Sequence, residues 1–129
     1  MVEFIDGIIS FKGSVLWWNE ENQLISIKSA GILEADTIQW ILDQILNIAR
    51  SHTEDIQLLF NWREVIKMTS KAKEILDHAF PKINYRKHAM IGPPGIHHTI
   101  NEFMLAATSR KNTKLFTSDE EVLNWLIEK

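Results

Sequence analysis

The last third of the chain alternates short apolar strands with amphipathic helices. A strand predicted over 85–92 leads through Pro93-Pro94-Gly95 into a helix over 96–110, and the strand Lys114-Leu115-Phe116 then precedes a final helix. Strands that alternate with helices at this spacing are typical of a parallel sheet covered by helices. This segment therefore predicts an α/β fold.

The first third predicts an antiparallel ribbon. Short β-branched or aromatic runs over 7–11 and 15–18 are separated by glycine, and residues 24–28 alternate polar with apolar side chains. Alternation with a period of two is the pattern of a strand with one buried face. Asn19 to Asn22 provide a polar turn, and Gly31 is expected to end the ribbon.

The middle of the chain predicts two helices around a buried strand. Residues 34–50 place apolar side chains at three- and four-residue steps, which gives a helix with one apolar face. Residues 56–62 are apolar almost throughout, as expected of a strand buried on both faces. Residues 63–68 are predicted to be a flexible connection, and Thr69 or Ser70 to cap the next helix. The predicted order is β-β-β-α-β-α-β-α-β-α.

Length and composition limit the classes of function. The 129 residues suit a single domain, 1–129, and the net charge of −3 disfavours nucleic acid or an anionic membrane as a partner. The chain has no cysteine, so disulfides, thiolate metal sites and cysteine nucleophiles are excluded. Residues 1–11 lack the pattern of a secretory signal, and no apolar run is long enough for a transmembrane segment. We expect a cytoplasmic protein.

The element order resembles the STAS/SpoIIAA-like superfamily, named after sulfate transporters and anti-sigma-factor antagonists. The similarity covers essentially the whole chain and lies in the following residues: Leu58 to Arg63, Met90 to Gly92 before Gly95, Lys114 to Thr117, Glu120-Glu121 and Trp125-Leu126. The resemblance implies a SpoIIAA-like α/β domain, in which an N-terminal antiparallel ribbon continues into a parallel βα sheet covered by about four helices. This fold is shared with CRAL-TRIO lipid-transfer domains.

The chain departs from that family at one functional position. The phosphorylatable anti-sigma antagonists resembled here carry an Asp-Ser or Ser-Ser-Gly turn just after the central parallel strand. The corresponding residues are Asn61-Trp62-Arg63-Glu64, which contain no hydroxyl group. Thr69 and Ser70 come later, at a helix start where capping is their commoner role. We therefore expect a STAS-like domain without the usual phosphorylatable serine.

The glycine-proline turn is the first candidate site. Gly95 and His97 open a helix at the carboxyl end of a parallel strand, where amide groups and the helix dipole attract a small anion or lipid headgroup. Pro93 and Pro94 remove two amide donors, and a phosphate-loop lysine is missing. A purely structural turn is the simpler interpretation.

Trp62 and Arg63 form a second candidate site, and the tryptophan pair Trp17-Trp18 forms a third. Trp62 is a candidate pocket wall and Arg63 a candidate ligand for a carboxylate or phosphate, although a half-buried ring beside a solvated ion pair explains both. Of Trp17 and Trp18, adjacent in one strand, one must face the core and the other the outside. An exposed tryptophan on the ribbon suggests a contact surface, including one for a homodimer.

Neither an enzyme nor a metal protein is expected. His97 and His98 are adjacent, so on a helix they point about 100° apart and cannot easily share one ion. The remaining histidines are expected at the surface or at helix caps, and no nucleophile elbow is present. The sequence predicts a non-catalytic interaction or signalling module without cofactors. The alternatives are a small-ligand or lipid carrier, with a pocket near residues 62–68 and 93–104, and an enzyme of unknown type.

Overall fold

The computed structural model describes residues 3–5, 8–51, 56–92, 112–116 and 118–128. Its elements, in chain order, are β1 (Glu3–Ile5), β2 (Ile8–Phe11), β3 (Ser14–Asn19), β4 (Leu24–Leu33), α1 (Ala35–Arg50), β5 (Gln57–Met68), α2 (Ser70–Ala79), a 3₁₀ turn (Phe80–Lys82), β6 (Lys87–Ile91), β7 (Thr113–Phe116) and α3 (Asp119–Ile127). Within these ranges, none of the helices has the length and apolarity needed to cross a membrane.

The described strands form one seven-stranded sheet in the order β1-β2-β3-β4-β5-β6-β7. Strands β1 to β4 pair antiparallel, and β4 to β7 pair parallel. The predicted antiparallel ribbon that continues into a parallel sheet is therefore confirmed. The ribbon contains one strand more than predicted, because Glu3–Ile5 also pairs with β2.

Two layers of helix cover the sheet from opposite sides. Leu58 and Phe60 pack with α1 and α2 in the larger apolar cluster, whereas Leu59 between them packs with α3 in the smaller one. Because successive strand residues face opposite sides, α1 and α2 lie on one face and α3 on the other. Three α-helices lie within the described ranges. The fourth, predicted over 96–110, lies outside the described residues.

Strands β4 and β5 are longer than the sequence indicated. Gly31 does not end β4, because its φ of +77° allows the chain to pass through an irregularity and continue to Leu33. Residues 63–68, predicted to be a flexible connection, continue β5 beside it. The reason is packing: Leu33, Val65 and Met68 are all buried in the larger cluster.

Thr69, rather than Ser70, caps α2, and Ser118 caps α3. The Thr69 hydroxyl accepts a hydrogen bond from the Ala72 amide at 3.2 Å, and the Ser118 hydroxyl accepts one from the Glu121 amide at 3.3 Å. Each satisfies an amide group that the first helical turn leaves unpaired. The caps fix where α2 leaves the end of β5 and where α3 begins.

Candidate interaction surface

The last residues of β4 and β5 extend beyond their neighbours in the sheet. The final pair between β3 and β4 joins Ser14 to Ser29, and the final pair between β5 and β6 joins Asn61 to Ile91. Residues 31–33 and 65–68 continue to pair with each other past these points. We call these two short segments the β4–β5 extension.

The β4–β5 extension exposes two large apolar side chains. Ile66 is 70% exposed, more than any other large hydrophobic side chain in the described ranges, and Ile32 on the adjacent strand is 45% exposed. Their neighbours Leu33, Val65 and Met68 are buried and hold both strands against the core. The extension thus presents isoleucine side chains on an anchored, hydrogen-bonded backbone.

Two lysines lie close to these isoleucines along the chain. Lys67 is the register partner of Ile32, and Lys71 is the second residue of α2; both are exposed. Neither forms an ion pair with another described residue. In contrast, Lys28 and Glu64 at the base of the extension pair with each other at 2.9 Å. The accessible charge next to the exposed isoleucines is therefore positive.

Arg63 lies at the surface and is already engaged. Its Nη2 donates to Oδ1 of Asp119 at 2.8 Å, and its Nε donates to Oδ1 of Asn61 at 3.3 Å. The ion pair joins β5 to the first turn of α3. Because both side chains are largely exposed, such a pair contributes only about 0–1 kcal/mol. Arg63 thus remains accessible to a partner.

Trp62 lies in the core rather than on a surface. Its side chain is 2% exposed and stacks on Phe60 with ring centroids 5.5 Å apart. Trp62 and Arg63 point to opposite sides of β5, so the structure does not bring the two predicted site residues together. In this conformation Trp62 does not wall a surface pocket, and the simpler interpretation as a core aromatic accounts for it.

The two adjacent tryptophans divide between the faces of the sheet. Trp18 packs against the larger apolar cluster, whereas Trp17 is 36% exposed on the opposite face. The register partner of Trp17 on β2 is Ile8, which is 38% exposed. These two side chains form a small apolar pair, the Ile8–Trp17 pair. Gly95 and His97, the remaining candidates, lie outside the described residues.

One histidine is buried within a strand, contrary to the expectation that the remaining histidines lie at the surface or at helix caps. His88 is 0% exposed, and its ring lies 4.5 Å from Phe60 and 4.7 Å from Phe80 by centroids. It points to the same face as Phe60 and joins β6 to the end of α2. Across the described part of the chain, no group of three or more His, Asp or Glu side chains is arranged to hold a metal ion.

The ion pair between Lys12 and Asp36 has a structural explanation. Hydrogen bonding to Asp36 raises the pKa of Lys12, and the same bond lowers the pKa of the Asp36 carboxyl. The pair joins the turn between β2 and β3 to the first turn of α1. It holds α1 over the ribbon, and both groups are exposed. This pattern is that of a structural ion pair rather than of an acid–base site.

Comparison with solved structures identifies the fold. No protein-family model matches the chain, and no curated protein does. A solved structure of an uncharacterized DUF3478-family protein from Shewanella loihica PV-4, with a SpoIIAA-like fold, matches at 15% identity and a TM-score of 0.67, over 91% of this chain and 96% of that one. The anti-sigma factor antagonist SpoIIAA in its unphosphorylated form matches at 10% identity and a TM-score of 0.57. That match covers 98% of this chain and 96% of SpoIIAA. The chain therefore has a SpoIIAA-like fold.

Proposed function

We propose that this chain is a non-catalytic protein-interaction domain that binds a partner protein through the β4–β5 extension. The observation that carries the proposal is the exposure of Ile66 and Ile32, at 70% and 45%, on a paired and anchored backbone. The similarity in fold to an anti-sigma factor antagonist supports a role in signalling. That role does not need a hydroxyl at residues 61–64, which here continue a strand.

The physical basis is pre-organisation. A partner that covers Ile66 removes a large apolar side chain from water, and burial of such a side chain contributes about 1.5–3 kcal/mol. The backbone of the extension is already ordered by its pairing, so binding does not have to order it. Lys67 and Lys71 would orient an acidic rim on the partner around the apolar contact.

Site-specific photo-cross-linking tests this proposal. A benzophenone amino acid replaces Ile66 in the native host, and the same group replaces Gln39, an exposed residue of α1, as the matched control. We expect a discrete adduct at position 66 and none at position 39. The purified partner should then bind the wild-type chain about 10- to 100-fold more tightly than Ile66→Asp, the range expected for an apolar hot spot.

Two results would contradict the proposal. One is the same adducts from both positions, which would mean indiscriminate contact. The other is unchanged affinity of the purified partner for Ile66→Asp. Circular dichroism of Ile66→Asp should match that of the wild-type chain, because the replaced side chain is mostly outside the core.

Self-association is a second proposal and rests on a different surface, the Ile8–Trp17 pair. We propose that a second copy covers this pair in a homodimer. Trp17→Ala should raise the dimer dissociation constant at least about tenfold, because aromatic side chains dominate such contacts. Leu46→Ala, on α1 and 37% exposed against 36% for Trp17, is the matched control and should leave the constant unchanged. Sedimentation velocity over a concentration series measures both, and equal constants would reject this interface.

Lipid or small-anion binding remains a prediction from the sequence. Its expected pocket combines residues 62–68 with 93–104, and the second range lies outside the described residues. A cytoplasmic location is likewise part of the proposal.

A further inference from the structure

Within the described residues, the last strand of the sheet has an open edge. Among the described strands, β7 is paired only with β6. The His88 amide donates to the Asn112 carbonyl oxygen at 2.9 Å, and His88 is the register partner of Thr113. In a parallel ladder the bonding direction alternates along the strand, so the N–H and C=O groups of Thr113 and Leu115 point away from β6. They are free to pair with one further strand.

A groove of about 440 Å³ lies beside this edge, between β7 and α3. Phe116 and Trp125 contribute apolar surface, with ring centroids 5.4 Å apart. Glu121 and Asn124 come from the helix side. Lys114 extends along the strand side, where its ammonium lies 5.4 Å from the centre of the Phe116 ring.

Lys87 anchors the helix wall of the groove. Its ammonium donates to the Trp125 and Glu128 carbonyl oxygens at the end of α3 and lies 5.0 Å from the centre of the Trp125 ring. Burial lowers the pKa of Lys87, and the carboxylate of Glu128 acts in the opposite direction. The Glu128 carboxylate is therefore partly compensated, whereas Glu121 forms no ion pair within the described ranges.

We propose that the β7 edge accepts an extended segment of another protein as an additional strand, with an apolar side chain against Phe116 and Trp125 and a basic side chain two residues away opposite Glu121. Alternate side chains of a strand are about 6.6–6.8 Å apart. Glu121 and Trp125 lie four residues apart on one helix, which separates them by about 6 Å along its axis. The two spacings match, so residues i and i+2 of the segment reach the apolar wall and the carboxylate together.

This surface is distinct from the β4–β5 extension. It lies on β7, two strands away from β5, and the lining of its groove carries two glutamates, Glu121 and Glu128, against one lysine, Lys114, whereas the extension presents lysines. Charge complementarity therefore favours a basic segment at the β7 edge and a partner with an acidic rim at the β4–β5 extension. The β7 proposal therefore goes beyond the proposed function, and each of the two can fail without the other.

A designed peptide tests the proposal. The probe is acetyl-Thr-Val-Thr-Arg-Thr-amide, whose valine and arginine occupy positions i and i+2. In a ¹⁵N-labelled sample, we expect saturable shifts of the Thr113 and Leu115 amides and of the Trp125 indole. A peptide methylated on the backbone nitrogens that face the edge keeps the side chains but loses the ladder bonds. It should lose binding.

Charge reversal supplies the matched control. Glu121→Lys should weaken binding of the probe about tenfold, the equivalent of about 1.4 kcal/mol. Glu120→Lys should leave it unchanged, because Glu120 is in the same helical turn but does not line the groove. A probe with glutamate in place of arginine should bind Glu121→Lys better than the wild-type chain. Glu121→Gln keeps the shape of the side chain and removes only its charge. It should lower the affinity for the probe by an intermediate amount, and it tests the charge even if Glu121→Lys perturbs α3.

Three outcomes overturn the proposal. The first is no shift at millimolar peptide. The second is a set of shifts centred on Ile32 and Ile66, which would place the peptide on the other surface. The third is concentration-dependent shifts of the Thr113 and Leu115 amides without peptide, which would mean that a second copy of the chain occupies the edge.

Discussion

Trp62→Ala is expected to lower the free energy of unfolding by about 3–5 kcal/mol, the range for removing a buried aromatic ring from a packed core. Trp62 is 2% exposed and stacks on Phe60 within the larger apolar cluster. Without the ring, the protein loses the favourable free energy of transferring that ring from water to the core. A cavity also remains that the sheet and α2 cannot fully close. Urea unfolding followed by far-ultraviolet circular dichroism measures the loss.

Trp17→Ala is the matched control for Trp62→Ala. Trp17 keeps 36% of its surface exposed, so its replacement should cost under about 1 kcal/mol, as for most surface substitutions. Both variants are compared at a concentration where they sediment as the same species. Similar losses in the two variants would mean that Trp62 is not the core aromatic that its burial indicates.

The comparison bears directly on function. The sequence suggested Trp62 as a candidate pocket wall and the exposed member of Trp17 and Trp18 as a contact residue, and the structure separates Trp62 from Trp17 by face and burial. If Trp62→Ala unfolds the chain, any loss of partner binding in that variant reports on the fold. Contact arguments then rest on side chains that solvent reaches: Ile32 and Ile66, Arg63, and the Ile8–Trp17 pair.

Elements with local signals were predictable. Helix α1 follows from apolar residues at helical spacing, and its predicted range of 34–50 differs by one residue from Ala35–Arg50. The Thr69 and Ser118 caps follow from short-range pairing between a hydroxyl and an amide two or three residues on. These signals do not depend on distant parts of the chain, so one sequence suffices to read them.

The β4–β5 extension was not predictable, because its cause is tertiary. Gly31 was interpreted as a strand end, although a positive φ equally suits an irregularity within a strand. Residues 63–68 contain charged side chains, which concealed the burial of Val65 and Met68. The available signal was the spacing of Trp62, Val65 and Met68. This spacing does not match a regular strand, and it arises where β5 shifts register against β4.

The exposure of Ile66 likewise could not be read from its identity. An isoleucine is usually buried, and a sequence pattern does not reveal which strand residues lie beyond the neighbouring strands. The same holds for the open edge of β7, which depends on the order of strands in the sheet. These two of the three proposed contact surfaces therefore follow from topology, whereas the sequence directed attention to motifs.

His88→Ala is expected to cost about 2–4 kcal/mol, somewhat less than the loss of a larger buried aromatic ring. The sequence favoured a surface or capping position for this histidine, but it is fully buried on β6, where its ring faces Phe80 at the end of α2. Phe60 and Phe80 contact its ring, and Tyr85 lies 5.6 Å away by centroids. Removing the imidazole should open a cavity that all three aromatic rings border, and it should loosen the 3₁₀ turn at Phe80.

His78→Ala provides the control within the same protein. His78 is exposed on α2, where its ring lies near the ammonium of Lys82, and its loss should change stability by less than about 0.5 kcal/mol. Urea unfolding of the two variants measures the difference, and near-ultraviolet circular dichroism reports the packing of Tyr85. Equal stability of the two variants would contradict a central packing role for His88. A large loss with unchanged partner binding at low temperature would place His88 in the scaffold that holds β6, rather than in either contact surface.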